Sequence, residues 1–173
     1  VLPDEELAEA IEATTHAHLV AAGYRRYEVS AWAQPAAECR HNLNYWRYGD
    51  YLGIGAGAHG KRSHDGQIVR TERPKGPKDY FAAVEGGLPP MERDIPAAER
   101  PFEFFLNALR LVDGFDVAGF ESTTGLSVRV VQPALDIAAE RGLLTSRASG
   151  WRPTPLGLRF LNDLQALFLP LHR

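Results

Sequence analysis

The sequence predicts two units in series, an α/β portion that reads as the closing βα units of a parallel barrel and a winged-helix-like α+β domain. Three observations carry this. Helical and strand-like patterns alternate over residues 1–86. The stretch from Gly86 to Pro101 holds four prolines and two glycines, the composition of a boundary. Beyond it come helical apolar patterns, then two short strands around a turn, then a last helix. The expected domains are therefore residues 1–86, a linker at 87–95, and residues 96–173.

The elements follow in order. Asp4 caps a helix whose first turn carries Glu5 and Glu6, and Gly23 ends it. Leu7, Ile11, Thr14 and His18 share one helical face. His16 and His18 are two apart, so on a helix they diverge and cannot chelate one metal. Tyr27 to Trp32 alternates like one short strand, and Tyr51 to Ile54 reads as another. Asp65-Gly66 is a hairpin turn between residues 61–63 and 67–73. Pro77 starts a short helix that Gly86 stops.

In the second unit, residues 96–113 form an apolar helix with Phe102, Phe105, Leu106, Leu109 and Val112 inward, closed by Gly114. Residues 116–125 read as turns. A helix from Val128 to Arg141 is broken or kinked at Pro133. Leu143 to Ser146 and Trp151 to Pro153 make a small β wing. Thr154 caps the last helix, with Pro155 at its first position and Leu158, Leu161, Leu164 and Phe168 facing the core.

Composition bounds the function. With 45% hydrophobic and 24% charged residues, the chain has material for one or two cores. A net charge of −3 argues against a protein built mainly to neutralise phosphates. On the second unit Arg129 and Arg141 are balanced by Asp136 and Glu140, so a DNA-binding winged helix is the remote reading and no nucleic-acid partner is expected. One cysteine permits no internal disulfide, which fits a cytoplasmic location. No apolar run approaches the ~20 residues of a membrane span. Homodimerisation stays open at this level. No G-x-S-x-G elbow or other nucleophile–base constellation appears, so no catalytic residue is assigned.

The densest chemistry is C-R-H-N-L-N-Y-W, from Cys39 to Trp46. Imidazole and thiolate are axial ligands of heme iron, and aromatic rings suit a porphyrin face. A histidine beside aromatic rings is, however, more often structural, and Tyr45 and Trp46 have core packing as their default role. Cys39 and His41 are too few for structural zinc, and the C-x-x-C-H of covalent heme attachment is missing, so any heme binds reversibly. Asn42 is expected to orient His41 by a hydrogen bond, and Arg40 and Arg47 are candidates for propionates. Further on, Y-L-G-I-G-A-G-A-H (Tyr51 to His59) fits no nucleotide-loop spacing, and its glycines serve either tight turns or a close approach to a ligand.

The string from Tyr27 to Gly60 resembles the oxygen-independent coproporphyrinogen III oxidase-like group of radical SAM proteins, and within it the heme chaperone branch. That branch is marked by H-N-x-x-Y-W, matched by His41, Asn42, Tyr45 and Trp46. Residues 100–111 and 154–169 resemble the C-terminal domain shared by the wider group. The resemblance implies the C-terminal part of a radical SAM barrel followed by that domain, in a protein that binds heme and hands it to acceptor proteins. It implies a heme site at His41, Asn42, Tyr45 and Trp46, with His41 on the iron and Cys39 as the weaker alternative. It also implies S-adenosylmethionine lined by Gly55 and Gly57, with His59 open either as a residue supporting that site from behind or as a heme-side candidate. A [4Fe–4S] cluster belongs to the full-length protein, because one cysteine cannot supply C-x-x-x-C-x-x-C. The chain is thus expected to be a C-terminal fragment, inactive alone. The alternative is the oxidase itself, which oxidatively decarboxylates two porphyrinogen propionates.

Overall fold

The computed structural model describes residues 2–170. The outermost positions of the two expected units, residue 1 and residues 171–173, lie outside the described residues.

Helix α1 (Glu5–Ala21) starts at Asp4, whose carboxylate accepts a hydrogen bond from the Leu7 amide at 2.9 Å. It buries none of its residues, and Leu7 and Ile11 are about half exposed. His16 and His18 diverge as expected. His16 meets the Trp32 ring edge-on at 4.8 Å, while His18 Nδ1 lies 2.8 Å from the Thr14 carbonyl.

Where one strand was expected at residues 27–32, the chain makes a hairpin, β1 (Arg25–Glu28) antiparallel to β2 (Ala31–Ala33). The Glu28 carboxylate folds back to accept from the Ser30 amide and hydroxyl, both at 3.0 Å, and so closes the reversal at Val29-Ser30. Helix α2 (Arg40–Trp46) follows. The expected strand at residues 51–54 does not form, since only Tyr51 pairs, by a single antiparallel bridge to Lys61. Leu52 and Ile54 project outward, 84% exposed, so no second strand engages them.

Strands β3 (His59–His64) and β4 (Gln67–Glu72) flank the Asp65-Gly66 turn. Both turn residues have positive φ, 49° and 77°, as a type I′ reversal demands. Helix α3 (Pro77–Glu85) stops at Gly86. Most of the expected linker is ordered, because β5 (Met91–Asp94) adds to β4 as a third antiparallel strand. Its sequence, Met-Glu-Arg-Asp, has no apolar alternation; it pairs along the free edge of β4, held by the Arg62–Glu92 ion pair and by buried Ile95 just beyond it. Every strand pair among the described residues is antiparallel, so these strands do not themselves make parallel βα units.

Helix α4 (Arg100–Ala108) is shorter than expected and is rotated relative to the expected face. Phe104, Phe105, Ala108 and Leu109 are buried, whereas Leu106 is exposed and Phe102 only half-buried. After Gly114 come β6 (Phe115–Asp116) and α5 (Val117–Thr124), in place of the turns expected over 116–125. A 3-10 turn (Val128–Val130) leads to α6 (Gln132–Glu140), so the break at Pro133 is real, with the proline in the first turn of the new helix. Strands β7 (Leu144–Arg147) and β8 (Gly150–Pro153) form an antiparallel hairpin in a three-stranded sheet of order β6-β8-β7. The last helix is split at Phe160 into α7 (Pro155–Arg159) and α8 (Leu161–Ala166). Thr154 caps α7 by accepting from the Gly157 amide at 3.0 Å, while Leu164 and Phe168 reach the core.

One core joins both halves. Phe104, Phe105, Phe115, Phe120 and Phe168 pack edge-to-face or stacked, with Phe105 and Phe168 at 3.7 Å between ring centres. Tyr48, Ile68 and Ile95 join the same cluster from outside the C-terminal unit. Each buried phenylalanine contributes roughly 1.5–3 kcal/mol of transfer free energy. The cluster therefore fixes where α2 and the three-stranded sheet sit against α4.

Candidate functional site

Helix α2 presents the motif, and its two ends explain its position. Cys39 is exposed and extended (φ −64°, ψ 110°), and its side chain makes no cap bond. Past the C-terminal end, Tyr48 takes a left-handed φ of 60° and is almost fully buried, so the chain turns sharply into the core. The Gly49 amide closes this turn on the Asn44 carbonyl at 2.8 Å. Tyr48 Oη is buried without a hydrogen-bond partner among the described residues.

The four motif residues divide by helical phase. His41 is exposed. Asn42 does not orient it. Its Nδ2 instead donates to Tyr27 Oη at 3.2 Å, because neighbouring residues on a helix point about 100° apart. Tyr45 stands edge-on to Trp46 at 5.0 Å and 5.1 Å from the Tyr51 ring. The Arg110 guanidinium lies 4.4 Å above the Trp46 ring, and Arg110 Nη2 donates to the buried Glu28 carboxylate at 3.2 Å. Trp46 is thus clamped between α2 and a Glu28–Arg110 pair that ties β1 to the end of α4. Arg40 and Arg47 are exposed.

A second polar node fixes the sheet. Lys61 is nearly fully buried, with Nζ donating to the Tyr48 carbonyl and to Asp50 Oδ1, each at 2.9 Å, and lying 4.2 Å from the Tyr48 ring centre. Burial pulls the ammonium below the ordinary lysine value, only partly offset by Asp50. Burial would raise Asp50, but bonds from Lys61 and from the Ser63 amide and hydroxyl outweigh it and hold the carboxyl low. Arg70 pairs with Glu103 of α4 and donates to Tyr51 Oη at 2.8 Å. Burial pushes the Tyr51 phenol up to about 12, so it stays neutral near pH 7.

Two clefts flank α2. One, about 720 Å³, lies against Tyr27, Leu43, Arg47, Phe104, Phe115 and Arg147. The other, about 510 Å³, lies between α2, the three-stranded sheet and α4, and is lined by Tyr45, Tyr51, His59, Arg70, Met91 and Phe102 among others. Both fall within the usual range for small-molecule sites. Gly55 and Gly57 lie in the loop before β3 with φ of 112° and 69°, which glycine adopts without strain. His59, a candidate from the sequence, lines the second cleft, whereas Met91, Lys61 and Arg110 have no role assigned from the sequence. The hairpin register would have placed His59 opposite Glu72, but nothing in the sequence announced β5 and hence Met91.

The donor set does not fit a [4Fe–4S] cluster. Cys39 is the chain's one cysteine, and among the described residues no three His, Cys, Asp or Glu side chains gather as metal ligands would.

Fold and motif helix together point to one class, and the chain is similar to the C-terminal portion of coproporphyrinogen III oxidase-like proteins. Residues 95–160 match the family described as the HemN C-terminal domain. The structure of Escherichia coli coproporphyrinogen III oxidase (HemN), described as a radical SAM enzyme, superposes with a TM-score of 0.66. It covers 96% of this chain and 42% of that one at 19% identity, a likeness of fold. The sequence is similar to one group of proteins in particular, the heme chaperones. The chain is 45% identical over 170 residues to the heme chaperone HemW of Escherichia coli, covering 98% of this chain and 44% of that protein. For HemW of Haemophilus influenzae the identity is 43%, covering 97% and 43%. For HemW of Mycobacterium tuberculosis it is 32%, covering 84% and 37%. The chain spans less than half the length of these relatives.

Proposed function

We propose that this chain is the heme-handling portion of a HemW-like chaperone, which holds heme reversibly and passes it to acceptor proteins. The observation that carries the reading is helix α2: His41 is exposed and uncommitted, while Tyr45 and Trp46 are fixed beside it by aromatic and cation–π contacts. An imidazole in that state is free to ligate iron, and rings held in place lose little entropy when a flat ligand covers them. His41 is the ligand, Cys39 the weaker alternative, and Asn42, Tyr45 and Trp46 the surrounding contacts. The high identity to heme chaperones favours this reading over the oxidase.

In the longer protein, residues 1–86 complete a radical SAM barrel. The exposed apolar residues Leu7, Ile11, Leu52 and Ile54 support this, being faces that a neighbouring part of the barrel would cover. The loop holding Gly55 and Gly57 then approaches S-adenosylmethionine, which supplies the adenosyl chemistry of such barrels. The element order α4, β6, α5, α6, β7, β8, with the three strands arranged β6-β8-β7, supports a winged-helix-like reading of the C-terminal unit. We place the protein in the cytoplasm, a compartment that the single cysteine fits. Acceptor proteins are its partners, with a homodimer as a further assembly.

Titration of the purified chain with hemin should give saturable 1:1 binding with a shifted Soret band. Added apomyoglobin should then withdraw the heme. Failure to bind, or heme retained through denaturing electrophoresis, would overturn the proposal.

A further inference from the structure

We propose that the cleft between α2, the three-stranded sheet and α4 seats the porphyrin, and that His59 ligates the iron from the sheet side. This rests on the heme reading above and names the site where that heme would lie.

Helical phase selects the cleft. Tyr45 lines it, and His41 stands one turn before Tyr45 on the same face of α2. The larger cleft is lined by Leu43 and Arg47, and Leu43 is two residues from His41, about 200° around the helix. A ligand touching both His41 and Tyr45 therefore belongs on the sheet side.

Strand register supplies the second observation. His59 pairs with Glu72, and Glu72 pairs with Met91, so the three form one cross-strand row on a single face of the sheet. All three line this cleft, beside Tyr45, Tyr51 and Phe102. The row brings together an imidazole and the chain's one methionine, both heme-iron ligand types. Imidazole is the better donor to ferric iron, whereas the softer thioether favours the ferrous state. Glu72, directly across from His59, is placed to take the second ring N–H and fix the tautomer. The phenol of Tyr51 is held neutral by burial and does not compete as a phenolate. Arg70 and Arg93 are already paired with Glu103 and Glu99, so the propionates point to solvent. No redox step is involved: a ring nitrogen lone pair displaces water or chloride from the ferric iron.

The test uses hemin with the whole chain, read by the Soret and visible bands and by electron paramagnetic resonance. The wild type should give a six-coordinate low-spin ferric spectrum. His59→Ala should convert it to high spin and weaken binding at least tenfold, while Met91→Leu leaves the spin state unchanged. His59 is exposed at the start of β3, so its replacement spares the core, and circular dichroism verifies the fold. A folded His59→Ala chain with the wild-type spectrum would overturn this ligand assignment and leave the heme reading standing. Loss of the low-spin signal in Met91→Leu but not in His59→Ala would overturn it in favour of the thioether. Absence of stoichiometric binding by the wild type would overturn both the seat and the heme reading.

Discussion

Replacing Glu28 by alanine tests how the motif helix is held. Glu28 is buried, and its carboxylate accepts from the Ser30 amide and hydroxyl and from Arg110, whose side chain is 27% exposed. Its loss leaves the Ser30 amide without an acceptor and the guanidinium without its counter-charge over Trp46. Breaking a fully buried pair costs about 3–5 kcal/mol, but water reaching Arg110 relieves part of this, leaving about 2–3 kcal/mol. With a urea m-value of about 2 kcal/mol/M, the midpoint should fall by about 1–1.5 M, read by far-ultraviolet circular dichroism. Glu28→Gln keeps an acceptor for Ser30 and should cost about half as much. A double-mutant cycle with Arg110→Met should show coupling of about 1 kcal/mol or more. A midpoint shift under about 0.3 M in Glu28→Ala at unchanged m, or zero coupling, would refute the clamp.

Three further outcomes are expected. Gly114 and Gly142 share a φ near 70°, but a Cβ on Gly114 would collide with the Trp151 carbonyl while one on Gly142 meets nothing. Gly142→Ala should therefore cost only the left-handed penalty of roughly 1–2 kcal/mol, and Gly114→Ala clearly more; equal losses of melting temperature would count against the packing of β6 on β8. Asp50 is held below its ordinary 3.8, so its stabilisation is complete above that pH and is lost as pH falls through the lower folded value. Asp50→Asn should flatten this acid limb of stability against pH, and an unchanged limb would show that the bonds from Lys61 and Ser63 carry no net weight. The C-terminal unit, with Arg129 and Arg141 offset by Asp136 and Glu140, should not bind duplex DNA. Submicromolar, steeply salt-dependent binding in a filter or anisotropy assay would contradict this.

What the sequence revealed depended on whether the signal was local. The Asp65-Gly66 hairpin, the caps at Asp4 and Thr154, the stop at Gly86 and the break at Pro133 rest on chemistry within a few residues, and all formed. The family resemblance of residues 27–60 was equally legible and agrees with the relatives found. Long-range pairing was hidden. Strand β5 pairs along the free edge of β4, and the hairpin at 25–33 is set by a carboxylate folding back on Ser30. The buried face of α4 is set by tertiary packing, which takes Phe104, Phe105, Ala108 and Leu109 into the phenylalanine cluster and leaves Leu106 outward, a choice that apolar spacing within the helix does not make. The Asn42–His41 bond was excluded by helical phase once residues 40–46 were known to be helical. The row His59–Glu72–Met91 needed both hairpin register and the unannounced third strand.

The most direct measurement of the central claim is a hemin titration comparing the wild-type chain with His41→Ala, each shown by circular dichroism to be folded. His41 is exposed and makes no core contact, so its loss should leave the thermal midpoint within about 1 °C. The wild type should bind one heme with a shifted Soret band, and His41→Ala should weaken binding at least tenfold. Cys39→Ser should change it much less. A folded His41→Ala chain with wild-type affinity and an unchanged spectrum would contradict the account and remove α2 as the heme-binding element.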